Sequence, residues 1–98
     1  MNIGKSLKDI RKHKGFSQKD LARKIDISQA SLSQIESGIT KPSSSTLQKL
    51  SAELEVPEAL IYIMSTDISD VPPEKRALYE TLFPMIKSMI LQIAGKNI

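Results

Sequence analysis

Short amphipathic segments separated by closely spaced turn and cap signals constrain the fold of this chain more than any other sequence feature. Apolar residues recur with the period of a helix from Ile3 to Ile10, and Gly15 ends that pattern with a residue suited to the left-handed conformation. Ser17, with Asp20 three residues later, forms a variant capping box that predicts the start of a second helix. Because no segment alternates apolar and polar residues, we expect an all-α fold.

Three further helices are predicted at similarly short intervals. The apolar pattern of the second helix stops at Asp26, a residue that tolerates positive φ, so we expect a tight turn there. Ser28 is placed to cap a third helix that closes at Gly38. A loop rich in proline and serine precedes the fourth helix, and Pro57 is placed at the first position of the fifth. Five helices are thus predicted within residues 2–65.

Composition narrows the class of protein. A chain of 98 residues, 40% hydrophobic and 26% charged, is expected to fold as one small domain and is too short for a two-domain enzyme. It has no cysteine, which excludes a disulfide framework, a thiolate zinc site and a cysteine nucleophile. The one histidine, His13, makes neither a zinc site nor a catalytic dyad by its spacing. We therefore expect no catalytic residue, no bound metal and no cofactor.

The charge is distributed unevenly. Residues 1–49 hold ten Lys and Arg against four Asp and Glu, a net +6, whereas residues 50–98 hold four against seven, a net −3. Nucleic acid is the leading acidic partner for such a basic half, but charge alone favours an ordinary solvated surface. The first 14 residues carry six charged side chains and no apolar stretch typical of an export signal. We expect a cytoplasmic protein with no membrane span.

The second and third predicted helices, joined by the turn at Asp26, form the pattern of a helix-turn-helix. The major groove of DNA admits one helix, and a glutamine amide can bond both adenine N6 and N7. Gln29 and Gln34 lie on the third helix, whose one charged residue is Glu36. Any single polar residue here is better explained by a solvated surface, but the group together favours a helix that reads bases.

These residues resemble the Cro/CI-type helix-turn-helix of phage and bacterial regulators, also called the lambda-repressor-like or XRE family. The run 17–29 resembles its first motif helix and turn, and the run 32–38 resembles its recognition helix and exit. The resemblance covers about residues 3–64 and implies a five-helix DNA-binding domain. We therefore divide the chain into a helix-turn-helix domain at 1–66 with the motif at about 18–37, a linker at 67–73, and a C-terminal helical segment at 74–98.

The resemblance also implies roles for individual residues. The residues facing base pairs would be Gln29, Ala30, Ser31, Ser33 and Gln34. The residues meeting phosphate would be Gln18, Thr40, Lys41, Ser43 and Ser44, and the serines are equally suited to capping. Arg11 and Glu36 match positions that form an internal ion pair in some members. The chain departs from the family at Asp26 and Glu55, where glycine is preferred, so unusual backbone geometry is expected at Glu55.

The C-terminal segment carries a broad apolar helical face of eight large residues within sixteen positions, interrupted by Pro84, which predicts a kink or a break. Such a face indicates either an interaction surface or a helix that folds back on its own domain. We favour a homodimer interface, because a two-fold dimer reads two half-sites of DNA. Two helices that pack along their length need apolar residues spaced three and four positions apart. That spacing is found at Leu82, Ile86, Met89 and Ile93.

Together these observations predict a regulator of transcription that binds double-stranded DNA, acting as a repressor on a palindromic operator. A restriction-modification controller is a variant of the same class. The alternative is an antitoxin or another protein-interaction module whose C-terminal helix binds a partner protein.

Overall fold

A computed structural model describes residues 1–95, and over that range every regular element is helical, as predicted. Two short 3₁₀ turns, Ile68–Asp70 and Pro73–Lys75, join the fifth helix to the sixth. The six α-helices are α1 (Ile3–Lys14), α2 (Gln18–Lys24), α3 (Gln29–Glu36), α4 (Ser44–Leu54), α5 (Glu58–Met64) and α6 (Arg76–Ala94). No helix among the described residues is long and apolar enough to cross a membrane.

Side-chain caps begin the first four helices. The predicted caps at Ser17 and Ser28 are confirmed, since each hydroxyl accepts a hydrogen bond from the backbone N–H three residues later at 3.0 Å. Only half of the predicted capping box forms, because the Asp20 carboxylate accepts from Arg23 at 3.2 Å instead of reaching back. Pro57 is the N-cap of α5, one residue before the predicted position, and the helix begins at Glu58.

Two non-glycine residues adopt the left-handed conformation. Asp26 has φ 59°, which confirms the tight turn between α2 and α3, and Glu55 has φ 58° at the end of α4. This conformation costs a non-glycine residue about 1–3 kcal/mol. Glu55 is held there by an ion pair with Lys14, whose Nζ lies 2.8 Å from Oε1. The hydrogen bond and charge of Lys14 lower the pKa of the Glu55 carboxyl.

The core lies between the helices of the first two-thirds of the chain and is closed by the end of α6. Burial of these apolar side chains is the main favourable term in folding, and it holds α2 and α3 at a fixed angle. The side chains with almost no exposed surface are Leu7, Ile10, Leu21, Leu32, Leu50, Leu54, Val56 and Ile61. Ile90 and Ala94 add the contribution of α6.

Helix α6 runs without a break through Pro84, so a break there is wrong, whereas the kink that Pro84 also predicts stays a prediction. Pro84 and Glu80 are both exposed, and the missing N–H of Pro84 removes the hydrogen bond that the Glu80 carbonyl would otherwise accept within the helix. The apolar face predicted as one surface is divided. Phe83 stacks on Tyr79 with ring centroids 4.9 Å apart, and Ile90 is buried.

Polar contacts along its length attach α6 to the rest of the domain. Lys87 Nζ lies 3.1 Å from Asp9 Oδ2 in α1. The Tyr79 hydroxyl donates to the Thr66 carbonyl at 2.9 Å. The buried Lys14 ammonium donates to the Ala94 carbonyl at 2.8 Å. The helix therefore folds back on its own domain with one face, the alternative that the sequence left open, while its other face stays exposed.

Candidate nucleic-acid interface

The outer face of α3 is polar and accessible. Leu32 and Ile35 point into the core and are buried. The five residues predicted to read bases, Gln29, Ala30, Ser31, Ser33 and Gln34, are all exposed. With a helical repeat of 3.6 residues, they occupy the side of α3 opposite its buried residues. The structure therefore brings them together on one surface.

These side chains differ in how far their hydrogen-bonding groups are already used. Among residues 1–95, Ser33 and Gln34 make no side-chain hydrogen bond, so both keep their donors and acceptors for a ligand. The Ser31 hydroxyl accepts from the Ser28 hydroxyl at 2.8 Å. Gln29 Nε2 lies 3.5 Å from Gln18 Oε1, a long contact that a ligand can replace at little cost. Of the two glutamines on this face, only Gln34 makes no side-chain hydrogen bond within residues 1–95.

A buried ion pair fixes the end of α3. Arg11 Nε lies 2.7 Å from Glu36 Oε2, and Arg11 Nη2 lies 3.0 Å from Oε1, so the pair is bidentate. The two side chains are 8% and 3% exposed. Arg11 Nη1 also donates to the Phe16 carbonyl at 2.9 Å, which ties in the loop between α1 and α2. Such planar, charge-assisted pairing restricts both distance and orientation, and it holds the last turn of α3 against α1.

The Gln18 side chain links the Arg11–Glu36 pair to the start of α3. Its Nε2 donates to Glu36 Oε1 at 3.1 Å, and its Oε1 faces Gln29. The sequence indicated only a phosphate contact for Gln18, whereas the structure places it between the two ends of α3. One N–H of the amide goes to Glu36, which leaves the second for a ligand.

Sequence reasoning missed Gly4, which lies where α1 touches the end of α3. A Cβ atom at this position would stand 2.2 Å from the Ile35 carbonyl oxygen and 2.9 Å from that of Glu36. Only a residue without a side chain allows this approach. The signal in the sequence is a glycine inside the first turn of an otherwise strong helix, a place where glycine is usually unfavourable.

The loop between α3 and α4 carries most of the predicted phosphate set. Thr40, Lys41 and Ser44 are exposed and make no side-chain hydrogen bond within the described chain. The Ser43 hydroxyl is committed to α4, because it accepts from Thr46 N–H at 3.1 Å and donates to Thr46 Oγ1 at 3.0 Å. Sequence reasoning also missed Ile39, which is 73% exposed in the same loop. Its apolar character fits contact with a sugar or a thymine methyl group.

Comparisons with known proteins agree with this geometry. The sequence model of the helix-turn-helix family matches residues 7–61. The HTH-type transcriptional regulator SinR of Bacillus subtilis (strain 168) is 44% identical over 55 residues, 55% of this chain and 50% of SinR. The HTH-type transcriptional regulator ImmR of the same organism is 37% identical over 67 residues, 68% of this chain and 46% of ImmR.

The chain thus spans about half the length of the curated relatives it matches. No solved structure matches it significantly. The family match covers more than half of the chain and contains α2, the turn at Asp26 and α3. The resemblance inferred from the sequence is confirmed: the chain belongs to the XRE-type helix-turn-helix family.

Proposed function

We propose that this chain is a DNA-binding regulator of transcription that inserts α3 into the major groove. The observation that carries the proposal is the exposed polar face of α3, fixed at its far end by the buried pair of Arg11 and Glu36. A rigid helix with small neighbours around two glutamines approaches base edges closely. The similarity to SinR and ImmR, both HTH-type transcriptional regulators, supports the same function.

The backbone of DNA is held by the loop that precedes α4. Lys41 supplies charge, Thr40 and Ser44 supply hydroxyls, and the first amides of α4 point their N–H groups outward. Gln18 adds its remaining N–H, while Ser43 acts through the cap that orders these amides. Such contacts set position and affinity but carry no sequence information.

A homodimer on a palindromic operator completes the proposal. Two copies related by a two-fold axis would present their α3 helices to half-sites about 34–36 Å apart. The interface would involve Leu82, Ile86, Met89 and Ile93, all exposed on α6. Occupying a promoter in this way is sufficient for repression, so we assign the chain to the repressors.

Selection of binding sites from random duplexes tests this function. The purified full chain is expected to enrich one palindromic sequence and to lose affinity steeply as salt rises. The variant Gln29→Ala/Gln34→Ala should fail to enrich it. The matched control is Gln48→Ala, which removes an exposed glutamine from α4. Absence of any enriched sequence together with salt-independent binding would overturn the proposal.

The exposed side of α6 also supports a second candidate function. Six large apolar side chains there are 39–62% exposed, a surface that suits a partner protein as well as a second copy. In that case the chain would act as an antitoxin or similar module, with DNA binding secondary. Replacing Leu82 and Met89 by lysine separates the two functions. Loss of self-association and of operator affinity together supports the regulator, whereas unchanged operator affinity supports the partner protein.

A further inference from the structure

We infer that two copies of α6 pair in antiparallel orientation, with the two-fold axis passing between Met85 and Ile86. This inference rests on the proposed homodimer and adds its orientation and register. It starts from the row of exposed apolar side chains on α6, which we call the apolar stripe: Leu78, Leu82, Met85, Ile86, Met89 and Ile93.

The apolar stripe reads the same in both directions along the helix. Its members are separated by 4, 3, 1, 3 and 4 positions. A two-fold axis between Met85 and Ile86 therefore places every member opposite another member, as a self-complementary interface requires. The facing pairs are Leu78 with Ile93, Leu82 with Met89, and Met85 with Ile86 of the second copy.

The edges of the stripe favour a second copy as its occupant. Lys87 is turned toward α1, where it binds Asp9, and so does not enter the stripe. Along the other edge lie Thr81, Ser88 and Gln92, which share one side of the helix and carry no charge. A second copy of α6 would meet no unpaired charge there. Interface centres are likewise depleted of charged residues.

Length and polarity of the helix support antiparallel pairing. Nineteen residues extend over about 28 Å, and the stripe occupies most of that length. Each copy would contribute one stripe to the pair, and a standard interface takes roughly 800 Å² from each partner. Parallel pairing would lay two helix dipoles side by side in the same sense, whereas antiparallel pairing opposes them.

Single cysteines test the register, because the natural chain contains none. Disulfides form where Cα atoms approach within about 7 Å. Under the inferred register, full-length Met85→Cys forms a crosslinked dimer on mild oxidation. Leu78→Cys does not, since its two copies lie about 22 Å apart. An equal mixture of Leu78→Cys and Ile93→Cys does crosslink.

Parallel pairing gives the opposite pattern, in which Leu78→Cys and Ile93→Cys each crosslink with themselves. That result would overturn the inference and leave the homodimer standing. The control Gln48→Cys, exposed on α4, reports crosslinking by random collision. Sedimentation of the natural chain decides the underlying proposal separately: a monomer at all working concentrations, with no crosslink above this control, removes both the homodimer and its register. Circular dichroism verifies that each variant is folded.

Discussion

Arg11 Nε lies 2.7 Å from Glu36 Oε2, and this contact joins α1 to the last turn of the helix proposed to read DNA. Both groups are buried away from water, so each charge is compensated by the other. The pair therefore determines where α3 ends relative to the rest of the domain, and with it the position of Gln34.

Replacing Glu36 by glutamine is expected to lower the free energy of unfolding by about 3–5 kcal/mol, because it leaves the Arg11 charge buried without a counter-ion. Urea denaturation followed by circular dichroism measures the change. The control Asp20→Asn breaks the exposed pair with Arg23 and should cost about 0–1 kcal/mol. Equal effects of the two variants would contradict a structural role for the buried pair.

Gly4→Ala should destabilise the domain, although alanine normally improves a helix by about 1 kcal/mol over glycine. The added Cβ would collide with the Ile35 carbonyl, and overpacking of this kind costs about 1–3 kcal/mol. Thermal unfolding gives the sign directly. A variant more stable than the natural chain would show that α1 and α3 can move apart without cost.

Gln34→Ala is expected to weaken binding to the selected operator by about 1–3 kcal/mol, the value of one paired amide contact to a base. Binding to a scrambled duplex should hardly change, since that affinity comes from phosphates. Fluorescence anisotropy with both duplexes measures the difference. A uniform loss on the two duplexes would place Gln34 outside base readout.

Unlike Gln34→Ala, Lys41→Ala should weaken binding to all duplexes by the same factor, whatever their sequence. Loss of one phosphate contact lowers the slope of affinity against salt by about 1. The control Lys75→Ala removes an exposed lysine from the turn before α6. If both variants keep the natural salt slope, phosphate binding lies elsewhere on the surface.

Asp67 is expected to contribute to stability in acid. Hydrogen bonds from Ser69 and from the Met1 amine lower the pKa of its carboxyl from 3.8 to about 2. A lowered pKa in the folded state means that the stabilisation is complete above pH 3.8 and is lost as the pH falls toward 2.

The natural chain should therefore be more stable than Asp67→Asn at neutral pH, and the difference should shrink below pH 3.8. Chemical denaturation at a series of pH values follows this difference. Glu80→Gln, a charge change on the exposed part of α6, serves as the control. A difference that stays constant down to pH 2 would mean that the hydrogen bonds to Asp67 are absent in solution.

Local signals were sufficient to predict α1 to α5. Serine caps, the turn at Asp26 and the apolar period all act within a few residues, so the sequence displays them directly. Family resemblance led to Arg11 and Glu36, which lie 25 positions apart and meet in the structure.

Contacts distant in sequence explain what could not be predicted. Gly4 is required because the Ile35 carbonyl lies against it, and the residues next to Gly4 in the sequence do not indicate this contact. Lys14 looks like a surface lysine, yet it is buried because two oxygen atoms from α6 and Glu55 surround its ammonium. The eight residues of the apolar face predicted on α6 cover too wide an arc for periodicity alone to separate buried Ile90 from exposed Met89.

Helix α1 contacts both α3 and the end of α6. Arg11 holds α3, and Lys14, less than one turn further along α1, holds the carbonyl at the end of α6. A displacement of α1 that improves one contact acts on the other, so the proposed pairing at α6 and the proposed DNA binding at α3 would both depend on the position of α1. Thermodynamic linkage makes such an influence reciprocal. If self-association raises the affinity for the operator by some factor, binding of the operator raises the affinity of self-association by the same factor.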